Sequence, residues 1–101
     1  MPMDESMIDI SSARTLASQE VDEVARRSGL DLALDDHTTR DEGWCWLFFY
    51  NTREYVETRN VGDALAGNGP ILVEKASGNL RHLVAARPIE EQLAELHRRR
   101  D

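Results

Sequence analysis

The sequence predicts an α+β domain: an antiparallel sheet of about four strands, with one helix before it and one after it. Three observations predict it. Apolar residues recur at helical spacing near each end of the chain. Between them the apolar residues fall in short runs, several of them alternating. Turn residues, not further long helical stretches, separate those runs. The order is α-β-β-(loop)-β-β-α.

Residues 1–10 are expected to form a flexible N-terminal segment within a single domain covering 1–101. Ala13, Leu16, Ala17, Val21, Val24 and Ala25 then share one helical stripe. Ser11 or Asp9 suits the N-cap, and Gly29 suits the stop, which predicts a helix over 11–28. In "LDLALDD" Leu30, Leu32 and Leu34 alternate with Asp31, Ala33 and Asp35, a strand with one apolar and one acidic face. "DDHTTRDEG" reads as a polar loop, and "WCWLFFYN" as the second arm of a hairpin. Alternation puts Trp44, Trp46, Phe48 and Tyr50 on one face of that arm, and Cys45, Leu47 and Phe49 on the other. One face is expected to take both helices, leaving the segment 52–69 to cover the other.

That segment is expected to hold a strand or helical turn around Tyr55 and Val56, then a short helical piece near 63–66. "GNGP" is irregular, because its glycines admit positive φ and Pro70 lacks an amide donor. Strands at 71–75 and 80–84 follow, joined by a turn at Ser77, Gly78 and Asn79. Pro88 opens the last helix. Ile89, Leu93 and Leu96 form its stripe, acids sit in its first turn, and "HRRR" at its end favours the negative pole of the dipole.

A chain of 101 residues supports one core without metals or disulfides. Its single cysteine, the lack of a leader-like start and the lack of a run near the ~18 apolar residues of a membrane span predict a cytoplasmic protein. The net charge of −7 is concentrated in residues 1–42, which hold eleven acids against four bases. Such a chain is repelled by nucleic acid and anionic membranes and attracted to basic proteins.

No catalytic constellation is expected. His37, His82, His97 and Cys45 lack metal-ligand spacing, and "DDHTTRDE" lacks the ligand pattern of a calcium loop. Cys45, flanked by two tryptophans, reads as packing rather than as a nucleophile. "GDALAGNGP" matches neither phosphate-loop pattern. No cofactor or metal is therefore expected, and the reading from residues alone is a binding protein rather than an enzyme.

Three blocks sharpen this: "WLFFYNTREYVET", "LAGNGPILVEKASGNLRHL" and "ARPIEEQLAEL". They resemble the immunity protein 35 family, also called YrhB-type domains, over about residues 43–96. The positions that carry the resemblance are Trp46, Phe48, Arg53, Glu54, Tyr55, Glu57, Thr58, Gly67, Asn68, Gly69, Pro70, Val73, Gly78, Pro88 and Glu91. The family pattern has glycine after "ET"; this chain has Arg59 and Asn60 there. The resemblance implies an antidote that binds a cognate toxin of a bacterial polymorphic toxin system, one to one and without catalysis. The motif residues are expected to be structural. The partner surface is expected on Asp31, Asp35, Asp36, Asp41 and Glu42, with Trp44 beside them as an aromatic anchor. A chaperone-like or small-molecule-binding domain with no toxin partner is the alternative.

Overall fold

The computed structural model describes residues 7–99. The chain runs α1 (Ile10–Ser28), β1 (Leu32–Leu34), β2 (Arg40–Asp41), β3 (Cys45–Phe48), β4 (Tyr50–Thr52), α2 (Arg53–Thr58), β5 (Ile71–Glu74), β6 (Leu80–His82) and α3 (Ile89–Arg99). Short 3₁₀ turns occupy Asp36–Thr38 and Val61–Asp63. The fold is α+β. A four-stranded antiparallel sheet has the order β2-β3-β5-β6, and a separate two-stranded ribbon pairs β1 with β4.

Of the expected flexible N-terminal segment, residues 1–6 lie outside the described residues. The Ile8 amide donates to the Lys75 carbonyl at 2.8 Å. The Asp9 carboxylate caps α1 by accepting from the Ser12 amide at 2.8 Å. At the other end Gly29, with φ 76°, closes α1 by donating to the Ala25 carbonyl.

The strand "WCWLFFYN" does not run unbroken. It bends at Phe49, so that β3 joins the main sheet while β4 pairs with β1. The supposed polar loop supplies β2, with Arg40 opposite Leu47 and Asp41 opposite Trp46. The expected hairpin therefore exists, but the 3₁₀ turn is looped out of its first arm.

Each sheet face has its own helix. On one face Trp46, Phe48, Tyr50, Ile71 and Val73 pack with Leu32 and Leu34 of β1 against Ala13, Ala17 and Val21 of α1. On the other, Cys45, Leu47 and Leu72 pack with Leu83 against Leu93 of α3, joined by Trp44, Phe49, Ile89 and Leu96. This corrects the expectation that both helices cover one face. Four short strands expose two apolar faces, and one helix on each buries both. Trp44 is likewise not on the Trp46 face. It precedes the strand, after a positive φ of 88° at Gly43, so strand alternation does not reach it.

Candidate functional site

The proposed partner-binding acids prove to be engaged within the chain. Asp35 is not on an outward face: only 6 % of it is exposed, and both its oxygens are held by Arg59, at 2.7 and 2.8 Å. Asp36 is held by two bonds from Arg14, at 2.7 and 2.8 Å. Asp41 accepts from Lys75 at 2.7 Å and from the Gly43 amide at 2.9 Å. Glu42 pairs with Arg40 at 2.6 Å, and Arg40 also reaches Glu90 at 3.2 Å. Asp31 pairs with Arg53 at 3.0 Å. The cations hold Asp35, Asp36 and Asp41 below the ordinary carboxylate range: Arg59 for the first, Arg14 for the second, Lys75 and then the Gly43 amide for the third. An acid already matched to a guanidinium projects little field outward.

Apart from Asp9, which caps α1, the acids without an ion pair among the described residues lie elsewhere: Asp22 on α1, Glu54 and Glu57 on α2, and Asp63 after it. Asp22 and Glu57 both line a groove of about 280 Å³ between α1, β1 and α2. Composition alone did not single out these positions. Both lie on helices beside buried or half-buried valines, Val21 and Val56, and this phasing is the signal that marks them as groove walls.

Trp44 does not stand free either. Its ring stacks on His97 of α3, with centroids 5.0 Å apart and planes 11° from parallel.

The motif residues organise the fold around β4. Arg53 starts α2 and bonds three ways to the start of β1: its amide to the Asp31 carbonyl, its Nε to the Asp31 carboxylate, and its Nη2 to the Leu32 carbonyl. Glu54 sits exposed in the first turn of α2, where negative charge suits the dipole. The Tyr55 amide donates to the capping Thr52 hydroxyl at 3.1 Å. In "GNGP", Gly67 has φ 83°, and the Asn68 side-chain Nδ2 donates to the Tyr50 carbonyl at 2.8 Å. Gly69 lies so close to Leu83 that a Cβ would fall 1.9 Å from its carbonyl oxygen. Pro70 is buried, and its carbonyl accepts from the Leu83 amide at 2.9 Å. Trp46 and Phe48 lie in the core on the α1 side, with the Lys75 ammonium 4.1 Å above the Trp46 ring. Gly78, φ 76°, turns β5 into β6, and Pro88 precedes α3.

Tyr55, Asn68 and Gly69 also line a second concavity, of about 420 Å³, together with Asp35, Phe49 and Tyr50. Burial raises the Tyr50 phenol above its ordinary pKa, against the opposing effect of Asn68. Among the described residues no group of three or more His, Cys, Asp or Glu is placed to hold a metal ion. No helix there is long and apolar enough to cross a membrane.

The uncharacterized protein YrhB of Escherichia coli (strain K12) is 42 % identical over 48 residues, which are 48 % of this chain and 51 % of that protein. The match thus spans about half the length of this curated relative. No solved structure matches the chain. The model of the family described as immunity protein 35 matches residues 12–95. That match takes in most of α1, all six strands and most of α3, so the chain belongs to the immunity protein 35 family.

Proposed function

We propose that this chain is an antidote: it binds a cognate bacterial toxin domain one to one and blocks it by non-covalent occlusion, protecting the cytoplasm of the producing cell. Membership of the immunity protein 35 family carries the reading. Binding needs no catalytic group, and the chain acts as a shaped, charged surface. The net charge of −7 favours rapid association with a basic partner, as many nucleic-acid-cleaving or nucleotide-directed domains are. The acids placed to act on such a partner are Asp22, Glu54, Glu57 and Asp63, because those of the 31–42 segment are neutralised at home.

The test is co-expression with the C-terminal domain of the toxin-like reading frame next to this chain's gene. Growth rescue with a stable one-to-one complex is the expected result. A toxic domain that neither binds the chain nor is relieved by it sinks the proposal.

A further inference from the structure

β1 has a partner on one side only. The Arg53 amide donates to the Asp31 carbonyl at 2.9 Å, and the Asp35 amide donates to the Phe49 carbonyl at 2.8 Å. With Ala33 opposite Asn51, these bonds show that the peptide groups of residues 31, 33 and 35 face β4. Those of Leu32 and Leu34 must face the other way. What they face is the groove between α1 and α2, which Leu32, Ala33 and Leu34 line. The Leu32 carbonyl there accepts from Arg53 at 3.3 Å. The Leu32 amide, the Leu34 amide and the Leu34 carbonyl have no hydrogen-bond partner among the described residues. The edge lies at the floor of the groove, where Leu32 is 2 % and Leu34 8 % exposed, and an unpaired edge is a template for one more strand.

The walls select the charge of that strand. Arg14 and Arg53 stand in the groove already matched by Asp36 and Asp31. Asp22 and Glu57 stand there unmatched. A helix would satisfy its own backbone and leave the edge open. An extended segment with lysine or arginine at alternate positions satisfies both the edge and the walls.

We infer that the groove between α1 and α2 captures an extended basic segment of the toxin, which adds to β1 as a third strand of the ribbon. The identity of the donor rests on the antidote reading; the groove's preference for a basic strand does not.

The test uses the full chain and a labelled hexapeptide, Lys-Val-Lys-Val-Lys-Val, followed by fluorescence anisotropy and by amide exchange in NMR. The expected result is saturable binding, slowed exchange of the Leu32 and Leu34 amides, and no binding of the Glu-Val counterpart. N-methylation of the alternate peptide amides that face β1 abolishes binding. The double variant D22K/E57K, altered only at exposed helix positions, keeps its circular dichroism spectrum and binds roughly tenfold more weakly. Absence of binding, binding indifferent to N-methylation, or protection confined to other amides overturns the inference. So does a dimer of the free chain with Leu34 already protected, which would make a second copy the occupant. A chain that rescues the toxin while Leu34 stays unprotected in that complex sinks the groove and leaves the antidote reading intact. Peptide capture without any rescue does the reverse.

Discussion

Arg59 grips both carboxylate oxygens of Asp35 at 2.7 and 2.8 Å while its own backbone sits in the left-handed region, at φ 62°. It is the only non-glycine with positive φ among the described residues, and it stands at the C-cap of α2, a position that favours glycine. An L-residue there costs free energy that glycine avoids. The ion pair, on a carboxylate with 8 % of its side chain exposed, offsets that cost. Asp35→Ala is expected to lower stability by about 1 kcal/mol, a modest figure because the Arg59 it leaves behind is 43 % exposed and can be solvated. In that background the αL strain is offset only by the Arg59 guanidinium over the Tyr55 ring, 5.5 Å from its centroid, so Arg59→Gly should raise the melting temperature, by about 2 °C. In the wild-type background the same change strands a buried carboxylate and should lower it. Thermal melts of the four chains check the reversal, and a gain from Arg59→Gly in both backgrounds would show that the pair contributes nothing.

The same pair sets a pH dependence. Arg59 holds the folded-state pKa of Asp35 below its unfolded value, as Arg14 does for Asp36. Their contribution is therefore present above the unfolded value of about 4 and is lost as pH falls through the folded values. Urea midpoints measured from pH 5 down to pH 2 should fall for the wild type and fall less for Asp35→Ala. Parallel curves would place the acid sensitivity in other carboxylates.

Gly69 is fixed by a contact rather than by a dihedral angle. Its Cα lies against the Leu83 backbone, where an added methyl would stand 1.9 Å from the carbonyl oxygen and 2.7 Å from its carbon. Backbone cannot swing aside as a side chain does. Gly69→Ala must therefore separate the "GNGP" turn from the segment after β6 and disturb the bond from Leu83 to Pro70. A loss of about 3 kcal/mol is expected, at the overpacking end of core substitutions. Gly67→Ala, with open space around its Cβ but φ 83°, should cost less. Equal urea midpoints for the two variants would refute the steric account.

These residues also mark how far the sequence could be read. α1 and α3 were legible because a stripe and a cap act within a few residues: Gly29 closes the first, and Pro88 precedes the second. The β5–β6 turn was legible for the same reason, through Gly78. β2 was not, since two charged residues set in register with Leu47 and Trp46 leave no side-chain pattern. The placement of the helices on opposite faces was not legible either, because alternation says which residues share a face and not what covers it. The pairing of the acids within the chain has the same cause. Asp35 is bound 24 residues away and Asp41 34 residues away, so their neutralisation is a product of the fold and invisible to local charge counting.

Trp44 and His97 supply the last case. The tryptophan is half-buried, and its ring lies flat on an imidazole from the final turns of α3. Its neighbours on the sheet side are the Cys45 and Leu93 cluster, so it clamps the C-terminal helix to the start of β3. A clamp and a partner anchor give different results on truncation. As a clamp, Trp44→Ala should cost about 1–2 kcal/mol of stability through lost apolar burial and stacking. The affinity of the folded fraction for the proposed toxin partner should then change less than about twofold, a free-energy change within RT. With Trp46→Phe in place, Trp44 is the sole indole, and His97→Ala should move its emission to longer wavelength as water reaches the uncovered ring. If emission and melting temperature stay fixed in His97→Ala while Trp44→Ala abolishes binding of the proposed toxin partner without unfolding the chain, Trp44 is a partner anchor after all and α3 is held without it, by Ile89, Gln92, Leu93 and Leu96.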